Sequence, residues 1–97
     1  MGHELVTPLD EAHWPIVHRT LEGHATLALV TYGPRAIALQ WTDAPKSPHA
    51  EEVSVDLEGG VLRVVFHCGT RTQREGVLAG LRDQLATAGV SVVFDEA

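Results

Sequence analysis

The chain has 97 residues, 44% of them hydrophobic but only 5% aromatic, and 13 acidic residues stand against seven basic ones for a formal net charge of −6. That length suits one domain over residues 1–97 with an aliphatic core. The net acidity lacks the electrostatic footprint of a general nucleic-acid binder, and no apolar run reaches the ~18 residues a membrane span needs.

Thr7-Pro8-Leu9-Asp10 reads as a helix start: threonine as N-cap, proline at the first helical position, and a carboxylate three residues after the cap. Leu9, Ala12, His13, Ile16, Val17 and Thr20 then share one helical face. Pro15 removes a backbone donor and crowds the preceding turn, so the helix kinks or restarts there, and Gly23 is the expected stop.

Ala25–Tyr32 is rich in β-formers, Gly33-Pro34 signals a turn, and Arg35–Thr42 alternates with Ile37, Leu39 and Trp41 on one face. These segments predict a first hairpin. Residues 43–50, with two prolines, predict an exposed loop. Glu52–Leu57 alternates with Val53, Val55 and Leu57 inward, and Glu58-Gly59-Gly60 turns the chain. Leu62, Val64 and Phe66 then form the inward set of a second hairpin.

Thr72-x-x-Glu75 has the pattern of a capping box, which starts a helix near Gln73. Val77, Leu78, Leu81, Leu85 and Ala88 make its apolar stripe, and Gly89 ends it. Gly76 and Gly80 fall on its solvent side. Val90, Val92 and Phe94 read as a last strand, placed parallel to one already in the sheet by a right-handed crossover. The expected fold is therefore α+β. It has an N-terminal helix, two β-hairpins and a C-terminal β-α-β step, giving a five-stranded, mainly antiparallel sheet with a long amphipathic helix packed on it.

The run His67-Cys68-Gly69-Thr70-Arg71-Thr72-Gln73-Arg74 fits H-C-x5-R and contains the only cysteine of the chain. It resembles the signature loop of the cysteine-dependent phosphatases and their rhodanese-like relatives. In that family a strand-to-helix loop cradles a phosphate or arsenate on its amides. The resemblance implies Cys68 as a thiolate nucleophile and Arg74 as the clamp on the anion. A helix N-terminus lowers a thiol pKa and attracts anions, and a guanidinium fork binds them bidentately. Strand parity points elsewhere: Cys68 shares a face with Leu62, Val64 and Phe66, where a free cysteine is buried, protonated and inert.

The six histidines show no i, i+4 pair and no structural zinc spacing, so neither a metal site nor a cofactor is expected. Trp41 reads as core. Trp14 projects away from the stripe of Leu9 and Ile16, either as an interface anchor or as filling between helix and sheet. One cysteine cannot close an internal disulfide, and no basic-then-apolar leader opens the sequence, so a cytoplasmic location is expected. Six arginines to one lysine suggest a GC-rich bacterial genome.

Charge is uneven along the chain. Residues 1–60 hold nine carboxylates against Arg19, Arg35 and Lys46, whereas residues 61–94 hold four arginines against Glu75 and Asp83. A small, acidic, motif-poor α+β protein has the general character of an immunity protein or antitoxin that neutralises a basic toxin or enzyme. The residues expected to touch such a partner are Asp10, Glu11, Trp14, Glu51, Glu52 and Asp56. The alternative is an enzyme using Cys68 and Arg74, and a homodimer through an open sheet edge is a third reading.

Overall fold

A computed structural model of the chain describes residues 3–42 and 52–96. The fold is α+β, with six strands and two helices. The strands are β1 (His3–Pro8), β2 (Leu27–Tyr32), β3 (Ala36–Trp41), β4 (Val53–Glu58), β5 (Val61–Phe66) and β6 (Asp95–Glu96). The helices are α1 (Trp14–Glu22) and α2 (Arg71–Thr87). The sheet is open, with strand order β2-β3-β4-β5-β1-β6, and all neighbouring pairs are antiparallel.

The second hairpin is built as its alternation requires. Val53, Val55 and Leu57 of β4 and Leu62, Val64 and Phe66 of β5 are all buried. Glu58 pairs with Val61, and the two turn residues Gly59 and Gly60 have φ of 61° and 76°. Positive φ at both positions is the signature of a type I′ turn, whose twist matches that of the strands it joins. In the first hairpin Ile37, Leu39 and Trp41 face the core, and the register slips between Leu29 and Thr31, leaving Val30 as an extra residue on the edge strand β2.

The expected helix start at Thr7-Pro8 is corrected. His3–Pro8 is a strand, inserted between β5 and β6, and Thr7 is buried opposite Leu62. Proline is tolerated at Pro8 because the next ladder donor toward β5 is the Leu9 amide, so the proline nitrogen faces the other side, where β6 pairs only with Leu5 and Val6. The helix begins later. Asp10 caps a short 3-10 turn over Glu11–His13, its carboxylate accepting from the Ala12 amide at 2.8 Å, and α1 restarts at Trp14 with Pro15 in its first turn. Five expected strands become six for this reason.

The capping box is also displaced, by two residues. Thr70, not Thr72, is the N-cap of α2. Its hydroxyl accepts from the Gln73 amide at 3.1 Å, and the Gln73 side chain accepts from the Thr70 amide at 2.8 Å. Val77, Leu81 and Leu85 are fully buried, whereas Ala88 is exposed. The helix ends in a Schellman motif: Gly89, at φ 83°, donates to Ala86, and the Val90 amide donates to Leu85.

Residues 90–94 do not form the expected strand. Val90, Val92 and Phe94 pack against the core without a ladder, and only Asp95 and Glu96 pair, antiparallel to Val6 and Leu5. The last strand runs in the same direction as β5 but does not neighbour it, because β1 lies between them.

The buried side chains of both helices join those of the sheet in one core. Both helices therefore lie on one face of the sheet, and among the described residues no helix or strand covers the other. Gly80 is not on the solvent side: a side chain there would meet the His24 imidazole of the segment following α1 at 3.6 Å, an ordinary contact distance, whereas Gly76 faces open space.

Two outcomes follow for equilibrium denaturation. Leu81→Ala should cost about 2 to 5 kcal/mol, since it empties a fully buried site, whereas Val93→Ala, at a side chain 71% exposed, should cost under about 0.5 kcal/mol. Gly76→Ala and Gly80→Ala should each raise stability by up to ~1 kcal/mol, because helix propensity improves without a clash.

Candidate functional site

The strand-to-helix segment singled out in the sequence is tied to the end of β3 through Glu52. This residue is only 4% exposed. Its main chain bridges two strands: the amide donates to Leu39 at 2.9 Å and the carbonyl accepts from His67 at 2.8 Å. Its side chain does the same on a second level. One carboxylate oxygen accepts from the Trp41 backbone amide at 3.1 Å and the other from the Cys68 thiol at 2.9 Å. The carboxylate thus supplies the Trp41 amide with an acceptor just past the paired run of β3 and β4, which ends at Leu39 and Val53.

Trp41 closes the arrangement from the other side. Its indole N–H donates to the Cys68 carbonyl at 2.9 Å, and its ring stacks on Phe66 with centroids 6.2 Å apart and an interplanar angle of 9°. Gly69 lies directly beneath the indole. A Cβ there would fall 2.8 Å from the indole nitrogen, and the backbone already sits at φ 124°. Only glycine meets both demands.

The loop uses its own polar groups internally. The Thr70 and Gln73 amides are engaged in the capping box. Arg74 does reach back toward the loop, as its position on the first turn allows, but its guanidinium donates to the Gly69 carbonyl at 2.8 Å. The Cys68 sulfur is partly buried against the core, on the polar side of the cluster. Burial, reinforced by the hydrogen bond to Glu52 and that carboxylate's charge, pushes the thiol from its ordinary 9.0 up to about 11. The arrangement holds a proton on sulfur, whereas a thiolate nucleophile needs the opposite shift.

The fold divides the residues expected to form a partner surface between the core and the surface. Trp14 and Glu52 are corrected. Trp14 is 8% exposed and fills the core between helix and sheet, because the helix restarts at Trp14 and its stripe becomes Trp14, Val17 and Leu21. Glu52 is consumed by the contacts just described. Glu51 lies outside the described residues. Asp10, Glu11 and Asp56 remain accessible.

Asp10 and Glu11 share one end of the molecule with Glu58. The Leu9 amide donates to Gly60 at 2.9 Å, which brings the segment after β1 against the β4–β5 turn. Glu11 bridges to Arg35 at 2.6 Å, beside the Leu57 amide that donates to the Arg35 carbonyl. Asp56 lies two residues inward from Glu58 on the uncovered face. Among the described residues no three His, Cys, Asp or Glu side chains gather where they could hold a metal ion, and no helix is long and apolar enough to cross a membrane.

Three expectations check this geometry. Iodoacetamide labelling of Cys68 in the folded protein should accelerate about tenfold per pH unit between about pH 8 and pH 10 without a plateau, and a plateau below that range would show a thiolate instead. By linkage, the proton on Cys68 stabilises the fold fully below pH 9.0, and this contribution is lost as pH rises through about 11. Gly69→Ala should cost at least about 1 to 3 kcal/mol in urea titrations and change the Trp41 fluorescence, since the indole must leave its place.

Comparison with known proteins finds no match to this chain among protein-family models, curated proteins or solved structures.

Proposed function

We propose that the protein is a binding module that docks a basic protein partner, in the manner of an immunity protein or antitoxin that neutralises a basic toxin or enzyme. The observation that carries this reading is the grouping of Asp10, Glu11, Glu58 and Asp56 at one end of the molecule and on the adjoining uncovered sheet face. Arg35 and Arg63 are the cations near them. With a chain charge of −6, that end attracts a basic surface and speeds its encounter.

The protonated Cys68 and the internally engaged loop support a structural role for residues 67–74. The buried network joins the end of β3 to the segment after β5 through Glu52 and Trp41.

The test uses the protein that co-purifies with the tagged chain from its native host. The paired substitution Asp10→Lys and Glu11→Lys should slow association about tenfold at low ionic strength, with the difference fading as salt is raised. An association rate that ignores both the substitution and the salt would sink the electrostatic reading, as would a partner of acidic character.

A further inference from the structure

The uncovered face carries a shallow depression of about 440 Å³ between β2, β3 and β4. Its floor is the small side chains Ala36 and Ala38 of β3, with Thr31 on one side and Ser54 and Asp56 on the other. The depression exists because alanines occupy the outward positions of a strand flanked by longer side chains.

Asp56 is half-buried at its rim. Among the described residues, no hydrogen bond or ion pair engages its carboxylate. Its neighbours in register are Ala36 on β3 and Arg63 on β5. Arg63 therefore flanks Asp56 on the side away from the depression, and its exposed side chain is not within ion-pair distance. Ser54 is already engaged with the His67 imidazole at 3.0 Å, so the acceptors facing the depression are the two Asp56 oxygens and the Thr31 hydroxyl.

A partly desolvated carboxylate without a partner, above a flat apolar floor, matches a guanidinium in both charge and shape. A planar fork binds two carboxylate oxygens at once, and its faces are weakly hydrated and lie well on methyl groups. We propose that this depression receives one arginine side chain of the partner, clamped by Asp56. The proposal rests on the reading that the partner is a basic protein, and it names where and how a single cation is read.

The proposal is tested by titrating the isotope-labelled chain with Nα-acetyl-arginine amide and following its amide resonances. The expected result is saturable shifts at Thr31, Ala36, Ala38, Ser54 and Asp56. The affinity should fall about tenfold in Asp56→Asn, stay unchanged in Asp83→Asn on the far helix, and be several-fold weaker for Nα-acetyl-lysine amide. Shifts that are absent, spread over all carboxylates, or equal in Asp56→Asn overturn it. With the co-purified partner, loss of binding in the Asp10/Glu11 variant but not in Asp56→Asn sinks the arginine site and leaves the basic-partner reading standing. No effect of either sinks both.

Discussion

The Glu52 carboxylate has been taken out of water, and each of its oxygens holds a proton from a different part of the chain. Burial of such a group is costly unless every lone pair finds a donor. Here the donors are the last amide of β3 and the thiol that follows β5, so the compensation for burial is itself a crosslink between strand ends. The indole of Trp41 adds a second link to the same loop, through the Cys68 carbonyl. The start of α2, whose N-cap is Thr70, is thereby fixed relative to the sheet. Removing one member would leave a buried polar atom without its partner, which is why the cluster acts as a unit.

The same contacts decide the chemistry of the loop. A strand, a tight turn and a helix N-terminus form a sound frame for binding an anion. Such a frame works only when its amides and its arginine face an empty centre. In this protein the Gln73 side chain and the Thr70 hydroxyl occupy two of the amides, those of Thr70 and Gln73, and Arg74 is spent on a carbonyl. Burial, and after it the neighbouring carboxylate, then raises the thiol pKa. Identical residue types at identical spacing can activate or quench a cysteine, depending on what stands 3 Å from the sulfur.

Placing both helices on one face of the sheet has a functional consequence. A two-layer arrangement buries one side of every strand and exposes the other. The exposed side is where Ala36 and Ala38 of β3 come together with Ser54 and Asp56 of β4. The edges of the sheet differ too. β6 is two residues long and both are acidic, which discourages pairing with another strand, whereas β2 is uncharged and interrupted at Val30.

Strong period-2 alternation determined β3, β4 and β5 and their buried faces from the sequence alone, because side-chain parity in a strand is a local property, and the Gly59-Gly60 turn determined the pairing of β4 with β5. The stripe of Val77, Leu81 and Leu85 and the stop at Gly89 were local in the same sense. The first strand was not, since six residues ending in proline carry a weak alternation and gain their partners from β5 and β6, both more than 50 residues away. The capping box depended on where β5 ended, so either Thr70 or Thr72 satisfied the local pattern. Trp14 and Glu52 changed from surface to interior because burial is set by the elements packed above them. Tertiary structure alone decided that an acidic side chain would face inward, for only there do the Trp41 amide and the Cys68 thiol converge on it.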